Sequence, residues 1–208
     1  MATTTPESPP WWERPCWIFD LDGTLTEAVH DFGVIRAELG VPDSADIIHY
    51  LEELPLVEAL PLWRRLLAIE GELVAATRPA PGLELLMEGL GRRGVRLGVL
   101  TRNTRGNAWR CLEHLQVAHL FRPEWVLGRD EAAPKPDPGG IQWLLERWGA
   151  TPDQGVMVGD YRYDLLAGRA AGVATVHVAV AGEFPWPELT DVAVSTLAEL
   201  HGRLVSPA

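Results

Sequence analysis

The chain has 208 residues, of which 47% are hydrophobic and 23% are charged. This length and composition suit one globular domain with a modest insertion, and they exclude a disordered, collagen-like or disulfide-scaffold protein. The net charge of -11, with no run of basic residues, argues against a nucleic-acid or anionic-membrane partner.

The N-terminal segment and the cysteines bear on where the protein works. Residues 1–14 are rich in proline, serine and threonine, which predicts a loose tail without the apolar run of a secretory signal. No later apolar stretch approaches the roughly 20 residues of a membrane span. Two cysteines without paired spacing, Cys16 and Cys111, indicate a reducing compartment. We therefore expect a soluble, cytoplasmic protein with no membrane partner.

Short runs of aliphatic and β-branched residues alternate with helical patterns along most of the chain. The predicted buried strands are 16–19, 95–100, 156–158 and 173–178, with weaker strands at 125–127 and 192–194. The helical patterns between them are 83–92, 107–115, 141–148 and 165–171. This alternation is typical of an α/β protein with a parallel sheet flanked by helices.

Residues 27–78 interrupt the alternation, because they contain only helical patterns, such as 62–76, and no convincing strand. The interruption predicts a small all-helical cap inserted after the first strand. Residues 15–26 and 79–208 then form the core, and Pro79 and Pro81 mark a boundary or hinge at the end of the cap.

Two carboxylates follow the first predicted strand. Asp20 and Asp22 are separated by one residue, and residues at this spacing in an extended segment point to the same side. Ligands of open α/β sheets bind beyond the carboxyl ends of the strands, where both acids lie. Gly23 permits a turn whose backbone N–H groups can face an anion. The motif therefore predicts two acids that address one reacting centre.

Other polar residues lie at positions that such a sheet would bring near these acids. Thr101 closes the strand 95–100 and offers a hydroxyl donor, followed by Arg102, which could reach a substrate carboxylate or phosphate. Lys135 is the only lysine in the sequence, and it lies in a segment stiffened by three prolines. Arginine replaces lysine everywhere else, which suggests that this position needs a compact point charge.

A third acidic motif follows the strand 156–158. Asp160 ends the strand, and Asp164 comes four residues later, one turn into a helix. Paired carboxylates at a strand end form a site for a hard cation, and Mg²⁺ suits them.

Taken in order, these motifs resemble the signatures of the haloacid dehalogenase superfamily, and specifically its phosphoglycolate-phosphatase-like phosphatases. The matching segments are DLDGTLT at 20–26, Leu100 with Thr101, PKPDP at 134–138 and GDYRYDLLAG at 159–168. The resemblance extends from about Trp17 to the last strand. It implies a Rossmann-like parallel sheet with the first strand in its middle, and a helical cap between the first and second motifs.

The resemblance also implies a Mg²⁺-dependent phosphatase that acts on a small phosphorylated metabolite. Asp20 would attack phosphorus to form an aspartyl-phosphate, and Asp22 would protonate the leaving oxygen and then activate water. The implied metal site comprises Asp20, Asp22 through its backbone carbonyl, Asp160 and Asp164. The implied phosphate-binding residues are Gly23, Thr24, Thr101, Arg102 and Lys135, of which Thr101 and Lys135 also stabilise the transferring group.

Two alternatives stay open at this point. A phosphosugar mutase of the same superfamily uses the same acids and differs in how the cap guards the intermediate from water. A phosphometabolite-binding module would keep the site without turnover. By contrast, the phosphonate-cleaving branch needs a cap lysine, and residues 27–78 contain none.

Overall fold

The computed structural model of the protein describes residues 8–28 and 32–206. The first seven residues of the predicted tail therefore lie outside the described part of the chain. The segment that precedes the sheet contains one short 3-10 turn at Trp11–Glu13.

The described residues form one parallel sheet of six strands, ordered β3-β2-β1-β4-β5-β6. The strands are β1 Cys16–Phe19, β2 Arg96–Leu100, β3 Val126–Leu127, β4 Gly155–Gly159, β5 Ala174–Val178 and β6 Val192–Val194. β1 lies between β2 and β4, in the middle of the sheet, as the resemblance implied. The six predicted strands are all present, with bounds that differ by at most one residue from those expected.

Eight α-helices connect and flank the strands in this part of the chain. They are α1 Phe32–Leu39, α2 Ile47–Glu53, α3 Leu56–Val74, α4 Leu83–Arg92, α5 Arg105–His114, α6 Gly139–Trp148, α7 Arg162–Ala171 and α8 Leu197–Val205. The first three fall between β1 and α4, so the predicted helical insertion is present. The helices from α4 onward alternate with the strands, as expected for a parallel sheet.

Alternate residues of β1 face opposite sides of the sheet, and each side has its own apolar core. Trp17 and Phe19 belong to a cluster with residues of α4, α5 and α8. Cys16 and Ile18 belong to a second cluster with residues of α6 and α7. All four residues are fully buried, so both faces of the sheet are covered by helices.

The three helices α1 to α3 pack around a separate cluster. Its fully or nearly buried members are Ile35, Leu39, Val41, Ile47, Leu51, Leu66 and Ile69. Thr26 and Pro79, on the two linkers to the core, form an isolated antiparallel bridge. Beside it, the backbone N–H of Glu27 donates to the carbonyl of Arg78 at 2.9 Å. The insertion therefore leaves and re-enters the core at one place.

Several helices begin earlier than their apolar periodicity predicted. α7 begins at Arg162 rather than 165, because its first turn is polar and the carboxylate of Asp164 accepts from the Tyr161 N–H at 3.0 Å. α3 begins at Leu56, six residues before the predicted start at 62, and contains Pro61. The proline lies near the start of the helix, and the carbonyl that it leaves without an N–H partner belongs to Val57, a residue that is 87% exposed.

None of the helices within residues 8–28 and 32–206 is both long enough and apolar enough to cross a membrane.

Candidate active site

Three of the predicted site residues lie at the carboxyl edge of three neighbouring strands. Asp20 follows β1, Thr101 follows β2 and Asp160 follows β4. Backbone pairing continues one residue past the strands. The Asp20 N–H donates to the carbonyl of Val158 at 2.9 Å, and the Thr101 N–H donates to the carbonyl of Leu127 at 3.0 Å. These bonds hold the first acid and the threonine in register at the same edge of the sheet.

Three carboxylates and one ammonium form the centre of the site. Asp20, Asp160 and Asp164 each place an oxygen within 4.8 Å of the others. The Nζ of Lys135 lies 2.6 Å from Oδ1 of Asp20 and 2.6 Å from Oδ1 of Asp164. Lys135 is only 3% exposed, so its charge is enclosed by the acids. The structure thus brings together Asp20, Lys135, Asp160 and Asp164.

Burial and the neighbouring charges shift the pKa values of the site. Burial, together with the charges of Asp164, Asp160 and Asp22, holds the pKa of Asp20 well above its usual range against the attraction of Lys135. Burial and Asp164 raise the pKa of Asp160 to about 6. Burial disfavours the charged form of Lys135, but Asp164 and Asp20 still raise its pKa. The cluster therefore carries more negative charge than one lysine balances.

The donor set fits a divalent cation. Three carboxylates that converge within 4.8 Å, with one neighbouring ammonium, leave an excess of negative charge that a hard cation would neutralise. The side chain of Asp22 does not belong to this group of three, and the metal contact through its backbone carbonyl, which the resemblance implies, stays a prediction.

The turn after β1 depends on a glycine. Gly23 has a φ of +87°, which other residues rarely adopt, and a Cβ there would lie 2.5 Å from Oδ2 of Asp160. The hydroxyl of Thr24 donates to Oδ1 of Asp160 at 3.0 Å. Thr24 therefore contacts the carboxylate of Asp160 and Gly23 leaves room for it, while the predicted contact of both residues with phosphate stays a prediction.

Thr101 and Arg102 face different neighbours. The hydroxyl oxygen of Thr101 accepts from the backbone N–H of Asn103 at 3.0 Å, so its O–H is directed elsewhere. Arg102 forms a bidentate pair with Asp46, the N-cap residue of α2, with both N–O distances at 2.6 Å. Its guanidinium also lies over the ring of Tyr163. Arg102 thus contacts the insertion, and its predicted role in phosphate binding stays a prediction.

The sequence analysis missed several polar residues around the site. The amide of Asn103 donates to Oδ2 of Asp22 at 3.4 Å. Arg129, after β3, pairs with Glu70 of α3 at 2.6 and 2.9 Å, and both side chains are less than 10% exposed. Nε2 of the buried His177 lies 3.1 Å from the carbonyl of Asp160. Of these residues, only Asn103 could have been found from the sequence, because it lies two residues after Thr101 at the end of a predicted strand.

Comparison with known proteins adds evidence from sequence. The sequence profile of haloacid dehalogenase-like hydrolases matches residues 35–178, more than half of the chain. An uncharacterized hydrolase of Saccharomyces cerevisiae is 30% identical, over 88% of this chain and 87% of its own length. A phosphoglycolate phosphatase of Agrobacterium fabrum is 29% identical, over 91% of this chain and 92% of its own length.

A solved structure shares the fold. The crystal structure of a hydrolase from Pseudomonas syringae superimposes with a TM-score of 0.76, at 22% identity, covering 94% of this chain and 99% of that one. The fold, the order of the strand-end motifs and the profile match agree with one another. The chain therefore belongs to the haloacid dehalogenase-like hydrolase family.

Proposed function

We propose that the protein is a Mg²⁺-dependent phosphatase that hydrolyses a small phosphorylated metabolite through an aspartyl-phosphate on Asp20. The observation that carries this proposal is the enclosure of Lys135 between Asp20 and Asp164, with Asp160 completing the group. This arrangement places a nucleophilic carboxylate, a compact cation and hard-cation ligands around one point. The phosphatases among the relatives support it further.

In the first step, an oxygen of Asp20 attacks phosphorus, and the bond from phosphorus to the leaving oxygen breaks. Lys135 balances the charge of Asp20 and of the transferring phosphoryl group, and Thr101 lies at the end of the neighbouring strand to donate its hydroxyl. The phosphoryl group is then held on Asp20 as an acyl phosphate.

Asp22 serves as the acid and then as the base. It donates a proton to the leaving oxygen in the first step. In the second step, water attacks phosphorus and gives its proton to Asp22, while the bond between Asp20 and phosphorus breaks. This returns Asp20 as a carboxylate, Asp22 as an acid and phosphate as product.

Asp20, the backbone carbonyl of Asp22, Asp160 and Asp164 would hold Mg²⁺. When bound, the cation neutralises the acids and the phosphate oxygens, which lets an anionic substrate approach the site. Thr24 and Gly23 contribute by keeping Asp160 in place, through the 3.0 Å hydrogen bond and the absence of a Cβ.

We propose that residues 27–78 act as a cap over a core of residues 15–26 and 79–208. The separate apolar cluster of α1 to α3 and the single place of entry and exit support this division. A cavity of about 300 Å³ lies between the cap and the core, and it is lined by Glu52, Trp63, Leu67, Thr104, Arg129, Asp130 and Pro134. This volume suits a small metabolite rather than a macromolecule.

A cytoplasmic location is part of the same proposal. Cys16 and Cys111 are both buried and carry free thiols, which suits a reducing compartment.

Replacing the nucleophile tests the proposal. Asp20→Asn removes the attacking oxygen, so we expect hydrolysis of p-nitrophenyl phosphate with Mg²⁺ to be abolished while circular dichroism shows an intact fold. In the wild-type protein, rapid quenching followed by peptide mass spectrometry should find a phosphoryl adduct on Asp20. Undiminished hydrolysis by the variant would contradict the proposal.

A panel of phosphorylated metabolites separates the alternatives when phosphate release and product identity are both measured. A phosphatase releases phosphate, a phosphosugar mutase isomerises its substrate faster than it releases phosphate, and a binding module binds without turnover.

A further inference from the structure

A chain of hydrogen bonds through two buried side-chain amides runs from helix α5 to Asp22. Nδ2 of Asn103 lies 3.4 Å from Oδ2 of Asp22. Oδ1 of Asn103 accepts from the Thr104 backbone N–H at 2.8 Å and from Nδ2 of Asn107 at 3.2 Å. Oδ1 of Asn107 in turn accepts from the guanidinium of Arg110. Asn103 and Asn107 are 6% and 5% exposed, so the contact between the two amides forms away from bulk water, whereas Asp22 is half-buried and Arg110 is exposed.

The chemistry of the donors sets the direction of this chain. A guanidinium and a backbone N–H can only donate. Asn107 must therefore present its oxygen to Arg110 and its NH₂ to Asn103. Asn103, which accepts from both Thr104 and Asn107, must then present its NH₂ to Asp22. The amide cannot turn over without losing two hydrogen bonds in a buried place, which is costly.

Asn103 is not needed to begin the helix. The N-cap of α5 is Thr104, whose side chain accepts from the Asn107 backbone N–H at 3.3 Å. The NH₂ group of Asn103 takes no part in capping the helix. It points to the carboxylate of Asp22.

We propose that Asn103 is a positioning residue that holds Asp22 for proton transfer. This inference rests on the proposed function, in which Asp22 is the acid and base. A donor on Oδ2 requires that the proton be carried on Oδ1. When the bond from phosphorus to the leaving oxygen breaks, Oδ1 gives its proton to that oxygen, and the carboxylate that is left on Asp22 is stabilised by the amide of Asn103.

The dependence of rate on the leaving group tests this role. Dinitrophenolate leaves without a proton, whereas the phenolate of phenyl phosphate needs one. In Asn103→Leu, which keeps the side-chain size and removes the donor, we expect kcat/KM with phenyl phosphate to fall at least about tenfold. With dinitrophenyl phosphate it should fall by less than about threefold. A series of substituted phenyl phosphates would then show a steeper dependence than in the wild type.

A second variant changes Asn107, the hydrogen-bond partner of Asn103. Asn107→Asp keeps an acceptor for Arg110 but cannot donate to Oδ1 of Asn103, so the orientation of the Asn103 amide is held only by the Thr104 backbone N–H. We expect the same steepening, smaller in size, and this variant decides the question if Asn103→Leu does not fold. Ala108→Gly is the matched control, because glycine weakens α5 by at least about 1 kcal/mol and a buried methyl group is lost, without a change in the amide chain. It should lower the melting temperature and leave the leaving-group dependence unchanged.

Asp22→Asn distinguishes the positioning role of Asn103 from the acid–base role of Asp22. A steeper leaving-group dependence in Asp22→Asn, but not in the folded Asn103 and Asn107 variants, would overturn the positioning role of Asn103 and leave the proposed function intact. An unchanged dependence in Asp22→Asn would contradict the proposed role of Asp22 itself. Steepening in Ala108→Gly as large as in Asn103→Leu would also overturn the inference, since loss of helix stability would then explain both.

Discussion

At the scale of single residues, the ammonium of Lys135 fits the space between two carboxylates. Its Nζ lies 2.6 Å from carboxylates of both Asp20 and Asp164, and the residue is 3% exposed. The ammonium is a compact point charge on a thin stem, whereas a guanidinium is a wider planar fork. The space between two carboxylates that also face Asp160 suits the ammonium. This gives a physical reason for the one lysine in a chain whose other basic residues are all arginine.

We therefore expect Lys135→Arg to lower kcat/KM for p-nitrophenyl phosphate at least about 100-fold, because the larger cation displaces Asp20 from the phosphoryl group. Steady-state kinetics with saturating Mg²⁺ measure this loss. Arg92→Lys, on the exposed face of α4, is the control and should leave the rate unchanged. Full activity in Lys135→Arg would mean that the choice of lysine there is coincidental.

At the scale of elements, two arginine–carboxylate pairs join the helical insertion to the core. Arg102 binds Asp46 at the start of α2, and Arg129 binds Glu70 of α3. Arg129 also donates to the carbonyl of Arg102 at 3.1 Å, which links the two pairs. The two pairs differ in burial. The side chains of Arg102 and Asp46 are 27% and 26% exposed to solvent. Those of Arg129 and Glu70 are 6% and 9% exposed.

We expect Glu70→Gln to lower the free energy of unfolding by about 3 kcal/mol, because it leaves the buried guanidinium of Arg129 facing a neutral amide. Urea denaturation followed by circular dichroism measures the change. Glu88→Gln is the matched control, since its pair with Arg92 is more than 60% exposed on both sides and should contribute no more than about 0.5 kcal/mol. A loss below about 1 kcal/mol in Glu70→Gln would contradict the expected cost of an unpaired buried charge.

At the scale of the whole molecule, acidic residues outnumber basic ones, and the same is true within the site. Asp20, Asp160 and Asp164 converge around a single lysine, and burial raises the pKa of both Asp20 and Asp160. A carboxyl group whose pKa is higher in the folded than in the unfolded state binds its proton more tightly when folded. Without metal, the stability that Asp160 contributes is present at low pH and is lost as pH rises through its pKa of about 6.

Mg²⁺ should reverse this pH dependence, because it binds the ionised carboxylates and competes with the proton. We expect Mg²⁺ to raise the melting temperature clearly at pH 7.5 and only weakly at pH 5, below the pKa of about 6 of Asp160. At 100 times its dissociation constant, the cation would add about 2.7 kcal/mol. Differential scanning fluorimetry at the two pH values measures this, and Asp160→Asn should abolish the effect. Equal stabilisation at both pH values would contradict it.

Much of the fold and part of the site could be predicted because they depend on local patterns. Buried strands such as β4 and β5 read as aliphatic runs, and Asp20 and Asp160 follow their strands directly. Neighbouring parallel strands bring such residues to one edge whatever the details of packing. The early start of α7 was missed, because its first turn is polar and is held by a side-chain hydrogen bond.

The sequence by itself determined the class of fold and the place of the acids at the strand ends, and it predicted a compact cation near them. Periodicity and strand-end position are properties of neighbouring residues, and they persist in any packing of the helices. Only the tertiary structure decided that Arg102 faces Asp46, that Glu70 pairs with Arg129 and that Asn103 reaches Asp22. These partners lie 56, 59 and 81 positions apart. Their pairing depends on how the insertion and α5 lie against the sheet, which no local pattern specifies.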